Sequence, residues 1–253
     1  MNWKLHLSSW ATILRTIRRN LLKSKLEPEC GFLQYLIQAD STCFDVGAAQ
    51  GRYTLVMSQL ARAGHVYSFE PGDYFFRILS VIKVFHRLKN VTLVKTAVGD
   101  KSGWGWLVIP LKKSRKPGFA LAHLASDGDH GFIRQKVPVT SLDEFSQEKG
   151  INKVNFIKCD VEGSELLVFK GARKLLERCR PIILCELSAE CLARTGSCPR
   201  DVFAFLDQLG YRAYILRKNL SPVNPNETYN FFFIDRFRIA PPFLEEAVAL
   251  EKQ

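Results

Sequence analysis

Two short runs hold the residues able to do chemistry: Asp45-Val46-Gly47-Ala48-Ala49-Gln50-Gly51 and Lys158-Cys159-Asp160-Val161-Glu162-Gly163-Ser164-Glu165. In the first, an apolar segment beginning at Thr42 enters a two-glycine turn and then a helical pattern. Gly47 and Gly51 let the backbone approach a ligand closely, and the helix that follows offers unpaired N–H groups and the positive end of its dipole to an anion. Glu70 ends the next strand-like run, where a carboxylate can accept hydrogen bonds from ribose hydroxyls. A dinucleotide fingerprint reads G-x-G-x-x-G, whereas here an acid precedes the first glycine and would repel a pyrophosphate. An acid at 45 suits a ligand with an ammonium group beside a carboxylate: Asp45 holds the cation, directly or through water, and the helix N-terminus takes the anion. S-adenosylmethionine is such a ligand. The competing reading of the loop alone is an ordinary, tightly packed strand–turn–helix corner.

In the second run Asp160 stands at the end of a strand, and Glu162 and Glu165 bracket a glycine at the start of a helix. An acid in a first helical turn is favoured by the dipole, and that capping reading is preferred for Glu165. For Asp160 and Glu162 an acid/base or orienting role is preferred. Methyl transfer from a sulfonium is an in-line displacement, which requires an aligned acceptor oxygen and removal of its proton. Lys158 either lowers the pKa of the acceptor or pairs with a carboxylate, and the ion pair is the simpler reading. A secondary alternative places a magnesium ion between Asp160 and Glu186 to acidify the hydroxyl, but the leading reading assigns no metal. Cys191 and Cys198 lack C-x-x-C spacing and a nearby His, which speaks against zinc.

The elements that must position these residues alternate helix and strand. The pattern predicts a helix near 30–38, strand 43–46, helix 52–63, strand 65–70, helix 73–88 and strand 91–98, a βαβαβ run that implies a parallel sheet. Residues 99–135 break the rhythm with glycines, prolines, Trp104, Trp106 and the basic cluster at 112–116. They read as a hairpin and long loop and are the candidate acceptor-binding insertion, or else a solvated surface loop. His123 and His130 fall within it, as proton acceptors or as incidental polar residues. The alternation resumes with strand 137–142, a short helix from Asp143, strand 154–159, helix 164–179, strand 181–186, helix 199–209 and strands 211–216 and 230–234. The last two have no helix between them and are predicted to pair antiparallel.

The chain has 253 residues, enough for one large α/β domain, which the pattern places at 29–240 with a tail at 241–253. Residues 1–28 form a separate element, where Trp3, Leu7, Trp10, Leu14, Ile17 and Leu21 repeat at helical spacing among basic residues. Such a basic amphipathic helix packs on the domain or lies on an anionic membrane or polyanionic substrate. The net charge of +11 favours anionic partners without choosing among them. Seven cysteines, an odd number partly inside apolar runs, point to a reducing compartment. Without a membrane-spanning apolar run or signal peptide, the chain is expected in the cytosol, with the N-terminal helix as its route to a membrane surface.

With Phe44 to Gly51, Ser68-Phe69-Glu70-Pro71, Ala97-Val98-Gly99-Asp100, Thr140 to Phe145 and Ile157 to Glu165 in this order, the chain resembles the FkbM family of S-adenosylmethionine-dependent methyltransferases over about residues 40–190. The block from Lys158 to Glu165 followed by Lys170-Gly171-Ala172 is the most specific part. The resemblance implies a Rossmann-like class I fold: a mainly parallel seven-stranded sheet with a C-terminal antiparallel hairpin strand. It also implies O-methylation of a hydroxyl on a sugar, glycolipid or secondary metabolite, the acceptor being a small molecule or glycan. It adds Pro71, Ala97 and Val98 to the cofactor-binding candidates Asp45, Gly47, Gly51 and Glu70, beside the catalytic candidates Asp160, Glu162 and Lys158. The family usually has Asn where this chain has Ala49, and an aliphatic residue where it has Cys159. The alternatives are an RNA methyltransferase, suggested by charge and the aromatic, basic insertion, and a non-catalytic module that kept the fold.

Overall fold

A computed structural model describes residues 27–111, 117–125, 133–216 and 228–247. The N-terminal helix expected over 1–28 (all but its last two residues), the basic cluster at 112–116 and His130 lie outside them. The core is a sheet of eight strands ordered β12-β10-β11-β9-β8-β1-β2-β3. Its centre is β1 (Thr42–Val46), flanked in parallel by β2 (His65–Phe69) and β8 (Phe156–Cys159), with β3 (Val91–Val94) and β9 (Ile182–Ser188) continuing the parallel run on either side. Strand β11 (Thr228–Asp235) inserts antiparallel between β9 and β10 (Tyr211–Leu216), the reversal expected from two strands in succession without a helix.

The eighth strand corrects the seven-strand expectation. Leu244–Glu246, expected in a tail, forms β12 and pairs antiparallel with β10. Leu244 is buried while Glu245 and Glu246 are exposed, in an element too short to show periodicity.

Side chains alternate across the sheet. Phe44 and Val46 of β1 join Val168, Phe169, Leu175 and Val202 on one face, and Cys43 joins Leu33, Tyr53 and Met57 on the other. The helices thus form a layer on each side of the strands. Helix α1 (Arg52–Leu60) covers one face; α3 (Leu142–Glu148), α4 (Glu165–Lys170), α5 (Arg173–Cys179) and α7 (Pro199–Gln208) cover the other, and α2 (Asp73–Phe85) packs through Ile78 and Phe75 beside Phe119.

Other expectations need correction. The helix near 30–38 is two 3₁₀ turns, Pro28–Gly31 and Leu33–Tyr35, held by i→i−3 bonds such as Phe32 N–H to Glu29 C=O at 3.0 Å. The strand at 91–98 ends at Val94, where the Thr96 N–H turns back onto the Val94 carbonyl. Ala97–Val98 then forms β4 in a second sheet, ordered β4-β7-β5-β6, with β5 (Gly103–Ile109), β6 (His123–Leu124) and β7 (Ile133–Thr140). Within the insertion, Gly103–Ile109, His123–Leu124 and the residues from Ile133 are therefore sheet, where a hairpin and long loop were expected. The helix at 164–179 is broken in two because the Asp143 carboxylate accepts from the N–H groups of Lys174 and Leu175, capping a new helix. A further short helix, α6 (Ala189–Ala193), starts at Ser188, whose hydroxyl accepts from the Cys191 N–H.

Candidate active site

A cleft of about 340 Å³ opens beyond the carboxyl ends of β1, β2 and β8, where the open α/β sheet leaves a crevice. Asp45, Gly47, Glu70, Pro71, Ala97, Val98, Lys158, Asp160 and Glu162 all line it. Gly51 does not. At φ +74° it turns the chain into α1, and a Cβ there would meet the Leu79 side chain, so its lack of a side chain serves packing against α2.

Glu70 is held firmly. One carboxylate oxygen accepts from the Ala49 N–H at 2.9 Å and the other from the Gly72 N–H at 2.7 Å. Burial pushes its carboxyl up to about 7, against the pull of these two donors. Asp45 lies deeper: it is buried and accepts a hydrogen bond from Thr54, whose hydroxyl also meets that of Ser68 at 2.9 Å. Burial raises Asp45 to about 6 despite the Thr54 bond.

Lys158 and Asp160 follow one another on the same face at the end of β8, as strand alternation requires, with Nζ and Oδ2 3.7 Å apart. The lysine is 2% exposed and the aspartate 35%, so the pair runs from the interior to the cleft wall. Burial opposes the ammonium charge, but Asp160 and then Glu186 outweigh it and hold Lys158 above its ordinary value. Its ammonium also lies 5.1 Å from the centre of the Tyr53 ring. Glu162 adopts φ +57°, an uncommon conformation for a non-glycine residue, and accepts a hydrogen bond from the Cys191 thiol at 3.4 Å. Burial and then the charge of Asp160 push it up to about 7. Glu165 turns away from the cleft and accepts from the N–H groups of Val161 and Gly163, ordering the loop that presents Glu162. Glu186 is likewise raised to about 7, by burial and then by Asp160. Among the described residues no three His, Cys, Asp or Glu side chains are grouped to hold a metal ion.

The cleft also contains residues outside the cofactor and catalytic candidates, among them His123, which the sequence offers as a proton acceptor or an incidental polar residue. Glu27, Arg52 and Tyr53 line one part, and Phe75, Leu107, Phe119 and Leu124 supply apolar wall. His123 lines it too, buried in β6 with Nδ1 3.0 Å from the Leu121 carbonyl and 3.5 Å from Arg194. Arg52 was legible in part, as the residue directly after Gly51. Glu27 carried no signal, standing before Pro28 at the end of a basic segment.

The methyltransferase FkbM domain matches residues 45–213, well over half of the chain. The chain belongs to the FkbM methyltransferase family. A curated relative, the hexuronic acid methyltransferase AglP of Haloferax volcanii, is 27% identical over 190 residues, covering 72% of this chain and 68% of AglP. Among solved structures, methyltransferase FkbM from Methylobacillus flagellatus KT superposes with a TM-score of 0.50 at 18% identity. That likeness covers 78% of this chain but only 44% of the other, so this chain spans less than half of that relative. SMU.1697c of Streptococcus mutans, described as a putative methyltransferase in complex with SAH, gives a TM-score of 0.50 at 13% identity, covering 84% of this chain and 98% of its own. An rRNA methylase from Streptococcus thermophilus gives 0.51 at 12%, covering 85% and 98%. At these identities the superpositions establish the fold, that of class I methyltransferases.

Membership makes the chain a methyltransferase and implies S-adenosylmethionine as the donor. The cleft fits that molecule in charge and in lining. Five carboxylates, of Glu27, Asp45, Glu70, Asp160 and Glu162, face two permanent cations, Arg52 and Lys158, in a chain whose overall charge is +11. An acidic, partly desolvated cleft in a basic protein suits a donor with two positive groups and one negative group. Apolar residues line the rest.

Proposed function

We propose that this protein is an O-methyltransferase that transfers the methyl group of S-adenosylmethionine to a hydroxyl of a sugar, glycolipid or related small molecule. The observation that carries this reading is the pair of carboxylates, Asp160 and Glu162, two residues apart on the cleft wall beyond β8. When bound, the donor's sulfonium supplies an electrophilic methyl group. Gly47, Glu70, Pro71, Ala97 and Val98 hold the donor. Asp160, steadied by Lys158, accepts a hydrogen bond from the acceptor hydroxyl and aligns its oxygen. Glu162, with a carboxyl near 7, is matched to take the hydroxyl proton as the new C–O bond forms and the C–S bond breaks. The wall from β5 and β6, with Leu107, His123 and Leu124, meets the acceptor. No step needs a metal.

The test is incubation with isotope-labelled S-adenosylmethionine and sugar-rich cell extracts, followed by mass spectrometry of labelled products before and after mild alkali. A methyl ether on a hydroxyl survives alkali. A label that alkali releases marks a carboxylate acceptor, which needs no base, and removes the role given to Glu162.

An RNA acceptor is a second reading, favoured by the outer face of the second sheet. Trp104 and Trp106, 69% and 46% exposed, lie under Lys136 and Arg134, each cation 5.2 Å from its ring. Aromatic and basic residues on one sheet face suit stacked bases and phosphates. Labelling of RNA instead of glycans would establish it.

A further inference from the structure

Glu27 and Arg52 face one another at the cleft, Glu27 in the segment entering Pro28 and Arg52 as the first residue of α1. Their side chains are 37% and 40% exposed, and the guanidinium and carboxylate stand 3.9 Å apart. So open and loose an ion pair adds little to stability. Glu27 is nevertheless carefully aimed: its other carboxylate oxygen accepts from the Tyr53 hydroxyl at 2.6 Å, and the Tyr53 ring is buried against the Lys158 ammonium. The result is an oriented carboxylate beside a guanidinium at the positive end of a nine-residue helix. An α-amino acid presents the complementary pair, an ammonium next to a carboxylate. Asp45, the acid that the loop sequence offers for the ammonium, is buried and engaged by Thr54.

We infer that Glu27 and Arg52 receive the amino-acid end of the methyl donor, Glu27 accepting hydrogen bonds from its ammonium and Arg52 donating to its carboxylate. The assignment rests on the donor reading of the cleft and moves the ammonium site from Asp45 to Glu27. Because Glu27 lies outside the stretch matched by the family domain, this half of the receptor belongs to the chain's own N-terminal segment.

Calorimetry with three nucleosides tests it. S-adenosylhomocysteine carries the whole amino-acid end, decarboxylated S-adenosylmethionine carries only its amine, and 5′-methylthioadenosine carries neither. Arg52→Gln should weaken S-adenosylhomocysteine about fivefold or more and change the other two less than about twofold. Glu27→Gln should weaken S-adenosylhomocysteine and the decarboxylated donor by a similar factor and spare 5′-methylthioadenosine. Tyr53→Phe, which removes the aiming hydroxyl and keeps the ring, should follow Glu27→Gln with a smaller effect. Unchanged binding of 5′-methylthioadenosine shows that each variant is folded. Parallel weakening of all three ligands, or no weakening of S-adenosylhomocysteine, overturns the assignment while leaving the donor reading intact. Failure of the wild-type protein to bind any of the three removes the donor reading and this assignment together.

Discussion

The α-carbon of Gly47 faces the backbone carbonyl of Asp160 so closely that a Cβ would collide with its oxygen and lie 2.8 Å from its carbon. The first glycine of the loop after β1 is thus also the point where that loop rests on the end of β8, at Asp160, the acid proposed to orient the acceptor. With φ +83° as well, the position rejects any side chain. Gly47→Ala is expected to cost about 3 kcal/mol or more of stability, read as a lower urea midpoint at unchanged slope. A variant of wild-type stability would show that the two segments separate easily.

Ala49 sits at φ +44°, where glycine or Asn is at ease and alanine is strained. Ala49→Asn keeps the N–H that binds Glu70 and should gain about 0.5–1 kcal/mol, a rise of about 1–4 °C in the melting temperature. No rise, or a fall, would mean the turn does not tolerate the longer side chain.

Glu70→Ala removes the acceptor of two backbone N–H groups along with the group proposed for ribose binding. Stability should fall by about 1–3 kcal/mol, and affinity for S-adenosylhomocysteine by about tenfold or more. Lost stability with full affinity would make Glu70 a loop brace only.

How far the site could be read from sequence follows from range. Gly47, Glu70 and Asp160 are local punctuation at strand ends, and strand alternation alone places Lys158 and Asp160 on one face, so the floor of the cleft was legible. Its walls were not. The pairing of β4 with β7, the Asp143 cap that breaks the long helix and the pairing of β5 with β7 depend on partners distant in sequence. A burial pattern that starts exposed and ends buried, as in β5, looks like a loop until the second sheet supplies its partner. His123 is buried there for the same reason.

Asp45 is raised to about 6, and Glu70, Glu162 and Glu186 to about 7, each first by burial. A carboxyl whose folded value exceeds its unfolded one contributes stability that is complete below the unfolded value and is lost as pH rises through the folded value. The ligand-free protein should therefore melt about 5 °C higher at pH 5.5 than at pH 8, and Glu70→Gln should narrow that gap. A gap of the opposite sign would contradict the burial of these acids.

Glu162 faces Asp160, Glu165, Cys191 and Arg194, the two acids opposing its ionisation and Arg194 favouring it. As the proposed base it must be ionised, so kcat/KM should rise with pH through about 7 and level off. Glu162→Gln should lower turnover about a hundredfold and abolish the rise, with S-adenosylhomocysteine binding kept within about a factor of three. An unaltered pH profile in that variant would assign the proton to another group.

The surplus of carboxylates in the cleft bears on how a catalytic cycle ends. Losing the methyl group converts a sulfonium into an uncharged thioether, so the spent nucleoside meets the same acids with one positive charge fewer. On the proposed reading the grip loosens at the moment of turnover, and the wall of acids that gathers the reactant helps to discharge the product. Salt, which screens the half-exposed members of that wall, should narrow the difference between the two.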